Sequence, residues 1–301
     1  MLERALYAQA PPVGTDDAMD DPPIDVWDLA TFDAELVAIL NANAELIGNY
    51  MARDHEIILT HELATGPDRA LVRPNNAFAA RIVALKDVLA SEMQSRTIRA
   101  WHYTRLTDCE AESLRTSGVE ISTIDSLRAR LSARVAAGDF NQTVADELFA
   151  ASPFHGDQLG GRSNKFWMTS HPVAIDDTGV EPLMAHWGGE VASFWLKDAG
   201  HLATLAGIGR RSIVELAVPT AQTRHAYSAG EAVIATFGRS LECIPSKYAF
   251  DLYVTSPLPG SAVLAIHADP DPTFAAMGVT FPPGFVDVDL GRWNELTGEG
   301  D

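Results

Sequence analysis

The sequence predicts an α+β protein, because helical patterns fill its first half and strand patterns its second. Apolar residues recur at helical spacing over residues 31–51, where Thr31 is a candidate N-cap, and again over residues 78–89. From Lys165 onward, short runs of aromatic and β-branched residues alternate with Gly and Pro. Helices that come early and strands that come late indicate α+β rather than alternating β and α units.

The composition is that of an acidic globular protein. The chain has 301 residues, 47% of them hydrophobic, and carries 22 Lys and Arg against 41 Asp and Glu, for a net charge of -19. This length allows one large domain or two. Because the net charge repels phosphate backbones and anionic lipids, we expect no broad nucleic-acid or membrane binding.

Cysteine usage and the N-terminus predict a cytoplasmic location. Cys109 and Cys243 form no Cys-x-x-Cys pair, so neither a disulfide framework nor a zinc ribbon is expected. Residues 1–21 lack the basic start and apolar core of a signal peptide. No run approaches the ~20 apolar residues of a membrane span.

The chain divides into four predicted regions. Residues 1–28 are rich in Pro and Asp and predict a mobile arm. Residues 29–95 form a helical region, interpreted as a lid or buttress with partner binding as the alternative, and residues 57–59 within it are a candidate short strand. Residues 96–268 form the main domain, and residues 269–301 are a tail rich in Pro and Gly.

Helices and strands follow in order along the main domain. The predicted helices cover these stretches: 108–117, 122–138, 141–149, 180–187 and 200–207. The predicted strands cover these: 99–104, 166–170, 191–196, 212–218, 232–236, 250–255 and 262–266. The last two strands flank a turn of Pro and Gly and are predicted to form a hairpin.

The strand at 99–104 is the first candidate for a binding site. His102 and Thr104 share one of its faces, and a helix start follows directly, with Thr107 and Glu110 spaced as a capping box. Polar side chains at a strand that leads into a helix favour a binding position. The alternative is a core histidine with its hydrogen bonds satisfied.

The standard catalytic sequence motifs are absent. The chain has no phosphate-binding loop, no Gly-x-Gly-x-x-Gly, no Gly-x-Ser-x-Gly and no His-Glu-x-x-His. Three strand-associated stretches remain, at residues 101–104, 166–170 and 230–234. In the third, Glu231 opens the predicted strand, after small residues and before an apolar run.

Taken in order, these three stretches resemble the ADP-ribosyltransferase-like fold in its His-first branch. Members of that group carry a His on the first core strand, a Ser or Thr element near the second, and a Glu at the start of a late strand. His102, Ser170 and Glu231 match this order. The resemblance implies two small packed sheets within residues 96–268, with NAD bound between them.

The resemblance also implies a function and roles for individual residues. The chain is expected to be a NAD-consuming ADP-ribosyl transferase or NAD glycohydrolase, which cleaves the bond between nicotinamide and ribose. Glu231 would stabilise positive charge on the ribose, and His102 would hold a ribose hydroxyl. The residues expected to contact NAD are His102, Tyr103, Thr104, Arg105, Ser170 and Trp187. Either Arg99 or Arg105 could pair with the pyrophosphate.

The middle motif departs from the family pattern, because it lacks a tyrosine. Trp167 or Trp187 would have to supply the ring that packs on nicotinamide. Residues 186–190 instead resemble a segment of uncharacterised proteins from bacterial toxin or defence contexts. Glu190 in this segment is interpreted as a solvated turn residue, with a place in the site as the alternative.

Two hypotheses for the whole chain therefore stand side by side. The first is the NAD-consuming enzyme, whose acceptor is left open among protein, nucleic acid, small molecule and water. The second is a non-enzymatic module on the same fold, which binds a nucleotide or a protein partner.

Overall fold

A computed structural model describes most of the chain, namely residues 22–62, 64, 72–156, 159–193, 196–246 and 248–277. These residues form helices and one antiparallel sheet, which confirms the predicted α+β class. Most of the predicted arm, at 1–21, and most of the predicted tail, at 278–301, lie outside the described residues. Within the described ranges, no helix is both long and apolar enough to cross a membrane.

The N-terminal region is helical, but two details differ from the prediction. Thr31 is not an N-cap, since it ends the short 3₁₀ helix Leu29–Thr31. The α-helices of this region are α1 (Ala34–Ala42), α2 (Ala44–Ile57) and α3 (Ala79–Met93). Asp33 caps α1, because its carboxylate accepts a hydrogen bond from the Leu36 N–H at 2.8 Å. The candidate strand at 57–59 is wrong, since α2 runs directly into a π-helical turn at Ile58–Glu62.

The remaining helices lie in the main domain and at its end. They are α4 (Asp108–Ser117), α5 (Ile124–Ala137), α6 (Gln142–Ala151), α7 (Leu159–Arg162), α8 (Glu181–Ala185), α9 (Gly189–Ala192), α10 (Ala199–Ala206), α11 (Ala226–Ser240) and α12 (Pro272–Met277). The predicted capping box of α4 is present in full between Thr107 and Glu110.

The five strands found among the described residues belong to one sheet. They are β1 (Thr97–Leu106), β2 (Phe166–Thr169), β3 (Arg210–Pro219), β4 (Asp251–Val254) and β5 (Val263–Ala268), in the order β4-β2-β1-β3-β5. Every neighbouring pair is antiparallel. Two packed sheets are not seen among the described residues.

The sheet is unevenly joined at β1. This strand pairs with β3 along its whole length, from Thr97 opposite Pro219 to Leu106 opposite Arg210. Its pairing with β2 consists of one position, Trp101 opposite Thr169. Beyond that pair, the second half of β1 and the first half of β2 separate, and the edge of β1 that faces β2 is left open.

Three apolar cores hold these elements together. The largest lies between one face of the sheet, including Ile98 of β1, and helices α1, α2, α3 and α11. The second covers the opposite face, where Trp101 and Tyr103 meet α8 and α12. The third joins α5, α6, α9 and α10 around Trp187. The N-terminal helices therefore share a core with the sheet.

Three strand predictions are wrong. Residues 232–236 lie in the middle of α11, where nearly every residue is buried, so the apolar run shows no helical period. The predicted hairpin is absent, because β4 pairs with β2 and β5 with β3 at opposite edges of the sheet. Residues 191–192 belong to α9, and the rest of that predicted strand includes residues 194–195, which are not described.

Candidate functional site

A large cleft opens where β1 and β2 separate. Its volume is about 730 Å³, which lies in the range of small-molecule sites. We call it the β1–β2 cleft and define it by eight of its polar lining residues, namely His102, Thr104, Glu110, Arg130, Arg162, Lys165, Glu190 and Asp251. Within the described ranges, no group of three or more His, Cys, Asp or Glu side chains could hold a metal ion.

The open edge of β1 presents backbone groups to this cleft. The Thr169 hydroxyl donates a hydrogen bond to the Trp101 carbonyl at 3.4 Å, so the backbone of Trp101 faces β2. Backbone groups alternate between the two edges of a strand, which directs the N–H and C=O of Tyr103 to the same edge. Tyr103 lines the cleft and is not paired with a residue of β2. A ligand with an adjacent donor and acceptor can therefore bind there.

His102 crosses the gap between the separated strands. Its Nδ1 lies 2.8 Å from the Trp167 carbonyl oxygen, and its ring lies against Phe166, with ring centroids 4.3 Å apart. Burial lowers the pKa of His102 to about 4, against the opposing effect of the Trp167 carbonyl. The ring is therefore neutral at pH 7. Because a carbonyl only accepts, Nδ1 carries the proton and Nε2 is left as an acceptor.

Glu190 is the second important side chain of the cleft. It lies at the start of α9, and its Oε1 is 2.8 Å from Nη2 of Arg162. Burial raises the pKa of Glu190, the Arg162 guanidinium lowers it, and the nearby Asp251 carboxylate raises it further. A carboxyl group with a perturbed pKa in a cleft is a candidate for chemistry. The interpretation of Glu190 as a solvated turn residue is corrected, and the alternative of a place in the site is favoured.

The two residues before Glu190 are glycines whose backbone conformations require glycine. Gly188 has φ +99° and Gly189 has φ +53°, which are backbone conformations that residues with a side chain rarely adopt. A Cβ atom at Gly188 would also lie 2.5 Å from the Cβ of Ala192. The chain therefore turns sharply between the buried Trp187 and the cleft residue Glu190.

Glu110 joins this segment to α4 and α5. Its carboxylate accepts hydrogen bonds from Arg130 Nε and Nη2 at 3.1 and 3.0 Å, and from Trp187 Nε1 at 2.9 Å. It also accepts a hydrogen bond from the Thr107 N–H at 3.0 Å. Burial alone would raise the pKa of Glu110, but Arg130 and these hydrogen bonds hold it below its usual value.

Trp167 is an aromatic side chain of the cleft. Its Nε1 donates to the Gly161 carbonyl at 3.0 Å, and the Lys165 ammonium lies 5.6 Å from the centre of its ring. Of the two tryptophans considered as the ring that packs on nicotinamide, Trp167 is the one that lines the cleft.

Glu231, the predicted catalytic acid, is in the wrong place. It lies on α11 rather than at the start of a strand, and its Oε1 is 2.8 Å from Lys86 Nζ on α3. It is not among the residues that line the cleft. We assign this carboxylate to the packing of α11 on α3.

Three of the predicted NAD contacts are also corrected. Ser170 is fully buried, and its hydroxyl accepts a hydrogen bond from the Phe250 N–H at 3.1 Å. Trp187 is fully buried against Glu110, and Arg105 donates to the Ile208 carbonyl at 2.7 Å. None of the three lines the cleft.

Arg99 is not available for a pyrophosphate either, since its Nε lies 2.9 Å from Glu215. The structure does bring His102, Tyr103 and Thr104 to the cleft, as the sequence predicts. The phenol of Tyr103 packs in the second core and accepts a hydrogen bond from the Val173 N–H at 2.6 Å, so its hydroxyl is already engaged.

The sequence reasoning missed the basic residues of the cleft. Arg162 and Lys165 stand just before the strand predicted at 166–170. Two basic residues at such a position in a strongly acidic chain were a usable signal. Arg130 gave no comparable signal, because it is one of several arginines on the predicted surface of α5.

Comparison with known proteins adds no relative: no protein-family model matches the chain, and neither a curated protein nor a solved structure matches it.

Proposed function

We propose that the protein is a NAD-consuming enzyme of the ADP-ribosyltransferase-like fold, either an ADP-ribosyl transferase or a NAD glycohydrolase. The observation that carries the proposal is that one cleft contains His102, the open backbone edge at Tyr103 and Glu190. In this proposal, the separation of β1 from β2 corresponds to the division between the two sheets of that fold.

The open edge of β1 suits the nicotinamide end of NAD. A carboxamide carries a donor and an acceptor side by side, which complements the N–H and C=O of Tyr103. The Trp167 ring offers an apolar face to the nicotinamide ring. His102 Nε2 accepts a hydrogen bond from a ribose hydroxyl, because the neutral ring keeps its lone pair at pH 7.

Glu190 supplies the negative charge for the reaction. The bond between the ribose C1′ and the nicotinamide nitrogen breaks, and its electron pair leaves with nicotinamide, which becomes neutral. Positive charge then develops on the ribose, and a fixed carboxylate stabilises it. Water or an acceptor group attacks C1′ and releases a proton. Arg162 favours the ionised form of Glu190 that this step needs.

A binding module without turnover is the second candidate. The observation that favours it is the ion pair between Arg162 and Glu190, because a carboxylate already neutralised by a guanidinium stabilises a new positive charge less. The cleft would then bind a nucleotide and leave it intact.

The test is nicotinamide release from NAD by the wild type, Glu190→Gln and Glu231→Gln, together with NAD binding by calorimetry. We expect Glu190→Gln to bind NAD but to release nicotinamide about a hundredfold more slowly. Glu231→Gln is the matched control and should release it at the wild-type rate. NAD binding without release by the wild type would support the binding module, and no binding of NAD would refute the enzyme.

A further inference from the structure

We propose that Glu110 is a positioning residue, which fixes Glu190 in the β1–β2 cleft by holding the indole of Trp187. The inference rests on the proposed function, because Glu110 acts here through Glu190. It also accounts for residues 186–190, the segment that the family resemblance left unexplained.

The link begins at Trp187. Its side chain is fully buried, and its indole N–H lies 2.9 and 3.1 Å from the two carboxylate oxygens of Glu110. Only Gly188 and Gly189 separate Trp187 from Glu190, and neither has a side chain that could fix the path of the chain. The position of Glu190 therefore depends on where Trp187 is anchored.

Glu110, at the other end of this link, is held in place by several further contacts. Arg130 donates two hydrogen bonds to Glu110, and its guanidinium lies 4.8 Å from the centre of the Trp187 ring. The N–H of Thr107 fixes the same carboxylate to the start of α4. Glu110 thus connects α4, α5 and the turn that carries Glu190.

Glu110 makes more hydrogen bonds than its role in the capping box of α4 requires. A capping box needs one acceptor oxygen at Glu110, and a glutamine at this position caps equally well. The second oxygen, Oε1, and the negative charge serve Arg130, while the Trp187 indole lies between the two oxygens, 2.9 Å from Oε2 and 3.1 Å from Oε1. Glu110→Gln therefore keeps the helix start through the oxygen at the Oε2 position, and places an amide N–H₂ at the Oε1 position, against both Arg130 donors and the longer Trp187 contact.

The experiment compares Glu110→Gln with Glu112→Gln, which lies on the same helix with a largely exposed side chain 3.7 Å from Arg115. For each variant, kcat and KM for NAD are measured. The titration of Glu190 is followed by carboxyl ¹³C NMR, with its signal assigned by loss in Glu190→Gln. The charged groups that act on Glu190 are Arg162 and Asp251, and both remain in every variant.

In Glu110→Gln, we expect kcat to fall at least about tenfold with KM little changed, because a misplaced catalytic group affects the transition state more than the bound substrate. We also expect the pKa of Glu190 to fall toward its ordinary value, since loosening the segment admits water and burial is the main cause of its raised pKa. Glu112→Gln should match the wild type in both measurements.

A Glu190 titration and a kcat that both match the wild type in Glu110→Gln would overturn the proposal, even with a lowered melting temperature. Trp187→Phe is the second variant, should Glu110→Gln fail to fold, and must shift the Glu190 titration in the same direction. Because the NMR titration needs no turnover, it tests the positioning role even if NAD is not the substrate.

Discussion

Replacement of His102 by Asn should change how the stability of the protein depends on pH. The asparagine amide can still donate to the Trp167 carbonyl, which His102 Nδ1 reaches at 2.8 Å, but it does not titrate. The wild-type ring, in contrast, has its pKa lowered from 6.5 to about 4 by burial. Between these two values, the unfolded chain binds a proton at this position and the folded protein does not.

The sign and size of the effect follow from this difference. Stability rises with pH wherever the unfolded state binds more protons, so the wild type loses stability as pH falls from 6.5 toward 4. One pH unit corresponds to about 1.4 kcal/mol, so the whole interval is worth roughly 3 kcal/mol. At about pH 5, the loss amounts to roughly 2 kcal/mol.

The assay is urea unfolding of both proteins at about pH 7.5 and about pH 5. The lower value stays above the isoelectric point near 4.7. The free energy of unfolding of the wild type minus that of His102→Asn should fall by roughly 2 kcal/mol between the two conditions. The raised pKa of Glu190 acts with the opposite sign, but it is present in both proteins and cancels.

His201→Asn, at a histidine paired on the surface with Glu147, controls for the loss of a histidine as such. A difference that is the same at both pH values would refute the burial of a neutral His102.

Two further predictions concern the stability of the fold. Glu231→Gln should lower the free energy of unfolding by roughly 2 kcal/mol, since it removes the negative charge that compensates the mostly buried Lys86 ammonium, and urea unfolding measures this loss. Gly118→Ala should cost roughly 3 kcal/mol, because φ is +88° and a Cβ would collide with the Leu258 carbonyl, whereas Gly138→Ala, at φ +81° with open space around it, should cost only about 1 kcal/mol. Equal midpoints for the two glycine variants would contradict the predicted collision.

The parts of the fold that the sequence predicts are those specified by neighbouring residues. The strand around His102 and the capping box between Thr107 and Glu110 depend on contacts within a few positions, and both are present. The strand predicted at 232–236 fails for a physical reason. A helix buried on most of its surface has the same apolar run as a buried strand, so α11 and the position of Glu231 could not be recognised.

The candidate site was harder to predict, because its parts meet through contacts distant in sequence. Glu110 and Trp187 are 77 positions apart, and their hydrogen bond is what gives the segment before Glu190 its anchor. The residues next to Glu110 and Trp187 in the sequence do not indicate that these two side chains meet. Ser170 illustrates the opposite error: its place beside a strand is correct, but its hydroxyl is used inside the core.

The single pair between β1 and β2 has a mechanical consequence. β1, β3 and β5 form one continuously bonded half of the sheet, and β2 and β4 form the other. Among the described residues, the pair of Trp101 and Thr169 is the one ladder position between these two halves. On the cleft side of this pair, the hydrogen bond from His102 to the Trp167 carbonyl spans the gap between the strands. The side chain proposed to hold the ribose therefore also links the two walls of the cleft.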